Sequence, residues 1–303
     1  VAHIIGSVRL SPDQLASYRE NGFLVVPDLI DRAEVDALLA EGTRICRGER
    51  GPIDGLQACA PHESDIDVLR KYLLCTYVHN ASPLFREMIA DERFGDLMEA
   101  IIGPNVKGFF SQFFIKHAGM PGNAWHQDEN FLPTRDRSLT SIWIALDPAT
   151  EENGCMRFIP GSHKAGYFWP MRPHHSADLD HLEEAYDFPG LETAVTVELA
   201  PGSAVVFSGY VMHGSWKNRT TDGFRRSLLY QYASAETPIA FHPRSEPVSN
   251  YFDNRDFVLV RGFDPYAWKA KMDGLNAPIL RGPGAQPEDV VNAEVREREK
   301  VPV

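Results

Sequence analysis

Hydrophobic positions recur at two different periods along this chain, and the change from one to the other falls near Pro104. Up to that point the spacing is helical. Ser11-Pro12-Asp13-Gln14 is a helix start: Ser11 is placed to cap, Pro12 suits the first turn and Gln14 can close a capping box, with Gly22 as the stop. Residues 22–30 form a short apolar strand candidate, and Asp31 with Glu34 repeats the capping box ahead of a helix that puts Val35, Leu38 and Leu39 on one face. Ser82-Pro83 opens another helix, and Phe94, Leu97, Met98, Ile101 and Ile102 follow at helical spacing until Gly103 and Pro104 end the run. These are core-facing stripes.

After Pro104 the apolar residues come in short runs suited to strands, at 107–117, 139–147, 156–159, 195–199, 204–208 and 226–233, with turn residues between them. Short strands with glycine and proline punctuation, and no regular helices between them, imply a closed or sandwiched antiparallel architecture, for which a jelly roll is the natural candidate. The expected fold class is mainly β with flanking helices. The longest interruption, 164–192, carries Pro170, Pro173, Pro189 and a mixture of acids and histidines. A long unstructured stretch inside a compact domain is usually functional or disordered, so it reads as a lid or excursion on the barrel mouth. No repeat or linker divides the chain. One domain over 1–303 is expected, with a helical part to 104, a core over 105–240 and a C-terminal extension over 241–303.

With 303 residues, 43% of them hydrophobic, the chain can bury a sizeable core. Its formal net charge of −12 repels polyanions and no basic stripe interrupts it, which excludes nucleic acid as an expected partner. No apolar run approaches the roughly 20 residues of a membrane span, so no membrane partner is expected. Cys46, Cys59, Cys75 and Cys155 lie far apart with no CxxC pair, which fits reduced, buried thiols in a cytoplasmic protein. Oligomeric state is silent in the sequence.

His126-Gln127-Asp128 is a His-x-carboxylate pair, and in an extended segment residues two apart share a face, so both side chains can meet one ion. Alone the triplet is weak, and His181-Leu182-Glu183 repeats it. A second segment lifts it above that background. There an apolar strand over 204–207 runs into His213-Gly214-Ser215, a polar turn from Asn218 to Gly223, and a returning strand beginning Phe224-Arg225-Arg226-Ser227-Leu228. An antiparallel return puts Arg225 beside the strand of His213. Alternation sets Arg225, Ser227, Leu229 and Gln231 on one face, against Arg226, Leu228, Tyr230 and Tyr232 on the other. Two imidazoles and a carboxylate on one face of an octahedral ion leave adjacent positions open, which suits Fe(II) that must bind a chelating co-substrate and O2. A zinc hydrolase needs only one open site. A guanidinium just beyond the metal matches the far end of a dicarboxylate.

On the strand leading toward the metal, alternation fits either Gln112, Phe114 and Lys116 or Phe113, Ile115 and His117 as the inward set, with Gln112 the pocket candidate. Arg135, Arg137 and Arg172 read as solvated loop charges, with an anionic substrate as the other reading. His62, His79, His117 and His163 read as structural or surface residues, and His174, His175 and His181 as part of a polar lid rather than a second metal cluster.

Together these residues resemble the phytanoyl-CoA dioxygenase family of Fe(II)/2-oxoglutarate oxygenases. The resemblance covers most of the chain: Gly22-Phe23-Leu24-Val25-Val26, Trp125-His126-Gln127-Asp128, Asn153-Gly154-Cys155, Ile159-Pro160-Gly161-Ser162-His163-Lys164, and His213-Gly214-Ser215 followed by Arg225. It implies a double-stranded β-helix (jelly roll, cupin-like) with N-terminal helices packed outside. It also implies His126, Asp128 and His213 as iron ligands, and Arg225 on the far carboxylate of 2-oxoglutarate. Gln127, Trp143 and Ser215 sit where the family often lines the co-substrate pocket, and strand alternation adds Ser227. The loop before the arginine is one residue longer than the commonest spacing, which leaves Arg226 as the alternative to Arg225. Asp128 stands where halogenating relatives carry a small residue, which implies hydroxylation or another oxygen-derived oxidation. The reaction expected is oxidation of an unactivated C–H of a small-molecule metabolite by O2, with succinate and CO2 released from 2-oxoglutarate. A CoA thioester would need a basic site for its phosphates, and only scattered arginines are present. The alternative is a metal-binding jelly roll that acts as an isomerase or ligand-binding module without 2-oxoglutarate.

Overall fold

The computed structural model describes residues 8–180, 183–241, 252–269, 271 and 274–283. Helices form where the local signals put them. α1 (Pro12–Asn21) is opened by Ser11, whose hydroxyl accepts from the Gln14 amide while the Gln14 side chain accepts from the Ser11 N–H, and it ends on Gly22 at φ 83°. A Cβ at Gly22 would lie 2.5 Å from the His163 ring, so both the dihedral and the space require glycine. β1 (Phe23–Val26) follows, then α2 (Arg32–Cys46) behind the Asp31/Glu34 capping box. β2 (Leu74–Thr76), α3 (Pro83–Ile89) and α4 (Glu92–Ile101) lead into β3 (Val106–His117).

The later strands are β4 (Thr140–Ala145), β5 (Met156–Phe158), β6 (Val195–Val197), β7 (Ala204–Ser208), β8 (His213–Ser215), β9 (Phe224–Ser234), β10 (Val258–Arg261) and β11 (Ile279–Arg281). Antiparallel pairing orders the main sheet β1-β7-β4-β9-β3-β2-β11, with β10 also on β3, and a smaller sheet runs β6-β5-β8. The two sheets pack face to face through Trp143, Val205, Phe207 and Leu229 on one side and Met156, Phe158 and Val197 on the other. This is the double-stranded β-helix expected, with helices against its outer face. β10 and β11 place part of the C-terminal extension in the main sheet itself.

Period-two alternation decides which side chains look inward. On β9, Leu228, Tyr230 and Tyr232 pack into the helical layer with Phe85 and Phe94, and the two tyrosine hydroxyls donate to the Phe85 and Ile89 carbonyls at 2.8 and 3.0 Å. Leu229 faces the other way, and Arg225, Ser227 and Gln231 share its side. On β3, Phe113 and Ile115 join the helical layer while Phe114 packs inside with Trp143. Of the two sets left open on that strand, Gln112, Phe114 and Lys116 are therefore the inward one.

Two expectations need correction. Arg225 does not return beside the strand of His213: β8 pairs with β5, whereas β9 pairs with β3 and β4, so the two residues belong to opposite sheets. The connecting turn is tied to β3 through buried Asn218, whose amide donates to the Lys116 and Gly223 carbonyls at 3.1 and 3.2 Å. The interruption at 164–192 is not without structure either. Residues 171–173 pair antiparallel with 183–185, and 179–180 pair in parallel with 122–123. Segments this short, one of them containing Pro173, carry no readable alternation. His175 is exposed and His174 half-buried in this segment, and His181 and Leu182 lie outside the described residues. All four cysteines are free thiols, three of them buried. Among the described residues, no helix is long and apolar enough to cross a membrane.

Candidate metal centre

The centre begins with a backbone bridge between the two histidines that the sequence singled out. The His126 N–H donates to the His213 carbonyl at 2.9 Å and the His213 N–H returns the bond at 3.0 Å, which sets the imidazoles side by side with ring centroids 4.2 Å apart. Each Nδ1 lies against a carbonyl two residues earlier, Ala124 at 2.7 Å for His126 and Val211 at 3.0 Å for His213. A carbonyl only accepts, so Nδ1 carries the hydrogen, and Nε2 of the neutral ring is left with its lone pair. Both Nε2 atoms lie 3.5 Å from the same oxygen, Asp128 Oδ1. The three ligand atoms fall within 4.8 Å of one another, and no other such group of metal-ligating side chains occurs among the described residues.

Asp128 is aimed by its other oxygen. Oδ2 accepts from Ser141 Oγ at 2.9 Å and from Gln231 Nε2 at 2.8 Å, which turns Oδ1 toward the imidazoles. Burial alone would raise the carboxyl's pKa, but the two histidines outweigh it and hold the group well below the usual range. Burial, and then the neighbouring His213, push His126 down, so its ring stays neutral. Phe207 and Phe158 flank the His213 ring at 4.8 and 5.9 Å, giving it an apolar surround.

Neither Ser141 nor Gln231 was assigned a role from the sequence. Gln231 lay on the inward face of β9, and Ser141 precedes the pocket candidate Trp143 by two residues on β4, so alternation was the signal that pointed to both. Ser141→Ala and Gln231→Leu are each expected to weaken Fe(II) binding by about 10- to 100-fold in a competitive chelator titration. Affinities equal to the unaltered protein's would show that Asp128 needs no aiming.

Behind the cluster, on the same face of β9 as Gln231, lies Arg225. Its side chain is 2% exposed, Nη1 donates to Ser227 Oγ at 2.7 Å, and Nε has no partner among the described residues. The guanidinium rests 5.2 Å from the Trp143 ring and 5.9 Å from Phe114. It forms no ion pair among the described residues, and burial pushes its pKa down to about 10. Arg226 points the other way and is satisfied: Nε and Nη2 each reach Asp147 at 2.7 Å. Of the two arginines left open, the inward one is Arg225.

The remaining pocket candidates separate. Trp143 and Ser227 adjoin Arg225, and Gln112 is on the inward side of β3, half-buried. Ser215 accepts from Lys116 Nζ at 3.0 Å. Gln127 turns away from the cluster and ties down the 164–192 segment, donating to the Tyr210 and Tyr167 carbonyls at 2.8 and 3.2 Å and accepting from the Trp169 N–H at 3.0 Å.

Two imidazole nitrogens, one ionised carboxylate and a buried guanidinium lacking an anion fit Fe(II) with a dicarboxylate co-substrate. Fold and donor set define a non-haem iron, 2-oxoglutarate-dependent dioxygenase. The chain belongs to the phytanoyl-CoA dioxygenase (PhyH) family, whose model matches residues 18–227. It is 28% identical over 247 residues to the peroxisomal phytanoyl-CoA dioxygenase of Rattus norvegicus, covering 75% of this chain and 69% of that one. It is 29% identical over 269 residues to the ectoine dioxygenase of Streptomyces avermitilis, covering 82% and 87%. A crystal structure of the epimerase SnoN in complex with Fe3+, alpha-ketoglutarate and nogalamycin RO matches the fold with a TM-score of 0.61, at 22% identity over 82% of this chain and 98% of that one.

Proposed function

We propose that His126, Asp128 and His213 hold Fe(II), that Arg225 holds the far carboxylate of 2-oxoglutarate, and that the enzyme hydroxylates an unactivated C–H of a small-molecule metabolite. The observation that carries this reading is the convergence of both Nε2 atoms on Asp128 Oδ1, with an unneutralised guanidinium on the same inward face of the barrel. Iron and 2-oxoglutarate, when bound, supply O2 activation coupled to loss of CO2 and formation of succinate. The protein's share is placement. Ser141 and Gln231 orient the carboxylate ligand, the two backbone carbonyls fix the imidazole tautomers, and Trp143, Phe114 and Leu229 keep water from the pocket between iron and Arg225. A carboxylate at Asp128 fills the place a halide would need, which favours hydroxylation.

Aromatic side chains surround the entrance. Phe131 lies 5.9 Å from the His126 ring, and Phe168 stacks on Tyr210 at 5.2 Å beside Arg137, 5.4 Å from the same ring. Phe131, Tyr167 and Phe168 are exposed. Such a mouth suits a compact substrate with an apolar or planar face. Its arginines are scattered, Arg172 paired with Glu184 at 2.9 Å and Arg137 beside the Tyr210 ring, which disfavours the clustered phosphates of CoA. Incubation with Fe(II), 2-oxoglutarate and a panel of metabolites should give substrate-dependent succinate and a product heavier by one oxygen atom drawn from isotopically labelled O2. A product lighter by two hydrogens and free of label would replace hydroxylation with desaturation. No succinate from any condition would remove the reading altogether.

A further inference from the structure

We infer that the substrate is a cation, whose ammonium, amidinium or guanidinium group is bound by the Asp256 carboxylate against the rings of Tyr77 and Phe110. The inference rests on the function proposed above and gives that site a substrate class. Asp256 lies beyond residue 227, where the match to the family ends.

β10 and β2 share one edge of β3 and leave a gap between them. β10 reaches Gly108 through Val258, β2 reaches Gln112 through Thr76, and residues 109–111 have no strand partner on that edge among the described residues. Tyr77 enters the gap as the next residue after β2, its N–H donating to the Ser111 carbonyl at 2.7 Å, and Asp256 enters it two residues ahead of Val258. Tyr77 packs edge-on against Phe110 with ring centroids 5.1 Å apart. Phe110 lies opposite Gln231, whose amide donates to the Asp128 carboxylate at 2.8 Å. Phe110, Gln112 and Tyr77 are only half-buried although the sheet and helices surround them, so they border space on the side of the metal ligands.

Asp256 is 3% exposed and forms no ion pair among the described residues. Its Oδ2 accepts from the Asn276 N–H at 2.9 Å, and the Asn80 amide donates to the Asn276 carbonyl at 3.0 Å, which ties Asp256 to the turn that follows Tyr77. Its Oδ1 has no hydrogen-bond partner among the described residues. Nearby arginines are committed elsewhere, Arg255 to Asp264 and to Asp253 at 3.6 Å, and Arg86 to the Asn80 side chain at 2.6 Å. Burial first, and then the Asp256 charge, push the Tyr77 phenol up to about 12, so the carboxylate acts on that ring. A buried carboxylate without a counter-charge is costly, and a cationic ligand removes the cost. The backbone of Tyr77 points the same way. At φ 52° and ψ 37° it holds a left-handed conformation that a bulky side chain rarely adopts, so the ring is kept there against strain. An aromatic face beside a carboxylate is what an organic cation prefers, and a net charge of −12 draws cations toward the protein.

Calorimetric titration of the anaerobic protein loaded with Fe(II) and 2-oxoglutarate tests this with two probes of one shape, benzylammonium and uncharged benzyl alcohol. The unaltered protein is expected to bind benzylammonium at least about 10-fold more tightly. Asp256→Asn keeps an acceptor for the Asn276 N–H without the charge, and is expected to weaken benzylammonium by about 10- to 100-fold while leaving benzyl alcohol within about 2-fold. Tyr77→Leu is expected to weaken benzylammonium by a further-reaching measure than benzyl alcohol, by about 3-fold, and carries the comparison should Asp256→Asn fail to fold. Equal affinity for the two probes in the unaltered protein, a preference that survives in Asp256→Asn, or equal weakening of both probes in the variants would overturn the inference. In the metabolite panel, succinate formed with acidic or uncharged compounds alone would overturn it too and leave the oxygenase reading standing, whereas succinate from no compound removes that reading itself.

Discussion

Asp128→Asn is expected to lower Fe(II) affinity by about 10^3-fold or more while leaving the protein folded and at least as resistant to heat. The substitution preserves shape. The asparagine oxygen can still accept from Ser141 and Gln231, as Oδ2 of the aspartate does at 2.9 and 2.8 Å. Its amide nitrogen then occupies the place of Oδ1, 3.5 Å from both Nε2 atoms, and donates to lone pairs that the metal would otherwise take. The metal-free cluster gains hydrogen bonds, and the metal loses its one anionic ligand along with two nitrogen donors that are now engaged. Losing a residue that merely aims a ligand costs about 10- to 100-fold, so losing the charge itself costs more. A chelator competition titration and a thermal melt of the metal-free protein check both halves. Iron affinity within tenfold of the unaltered protein would remove Asp128 from the ligand set.

Much of this architecture was legible because its causes are local. The capping boxes at Ser11/Gln14 and Asp31/Glu34 lie within four residues of chain and appear as read. Alternation on β9 sorted Arg225, Ser227 and Gln231 from Leu228, Tyr230 and Tyr232, and the structure keeps that sorting. What alternation cannot supply is the identity of the partner strand. It says that His213 and Arg225 have inward faces, but not that β8 pairs with β5 while β9 crosses to the other sheet. The same gap hid the ladders of 164–192, one between three-residue segments about ten residues apart and one that reaches back from 179–180 to 122–123. Gln127 shows a subtler limit. Its place between two metal-ligand candidates attracted a pocket role, yet extended backbone geometry turns it to the opposite side, where it bonds the backbone of Tyr210 and Trp169. Ser141 and Gln231 went unassigned because aiming a carboxylate takes two residues from different strands, and only pairing brings them together.

Arg225→Met and Arg226→Met, adjacent in sequence, are expected to move stability and co-substrate binding in opposite directions. Arg225 is buried with no anion to balance it, and its pKa is pushed down to about 10 by that burial. A depression of that size in a base opposes folding throughout the range below the folded-state value, by on the order of 3 kcal/mol at neutral pH. Methionine fills much of the same space between Trp143 and Phe114 without the charge, so the metal-free, co-substrate-free variant should resist denaturant better. It should also lose 2-oxoglutarate affinity by about 10^3-fold, because a carboxylate brought into that pocket would be left without its fork. Arg226 is the reverse case. Its bidentate pair with Asp147, at 2.7 Å on each arm, joins β9 to the end of β4, and removing it leaves the partly buried Asp147 without its counter-charge, held only by the backbone N–H of residue 226 at 2.8 Å. Arg226→Met is therefore expected to cost about 1–3 kcal/mol of stability and to leave 2-oxoglutarate affinity within about 2-fold. Anaerobic titration of the Fe(II)/2-oxoglutarate charge-transfer absorption gives the binding half, and urea denaturation of the ligand-free proteins gives the other. If Arg226→Met loses the absorption and Arg225→Met keeps it, the anchor is the outer arginine, and the unneutralised charge inside the barrel needs a different explanation.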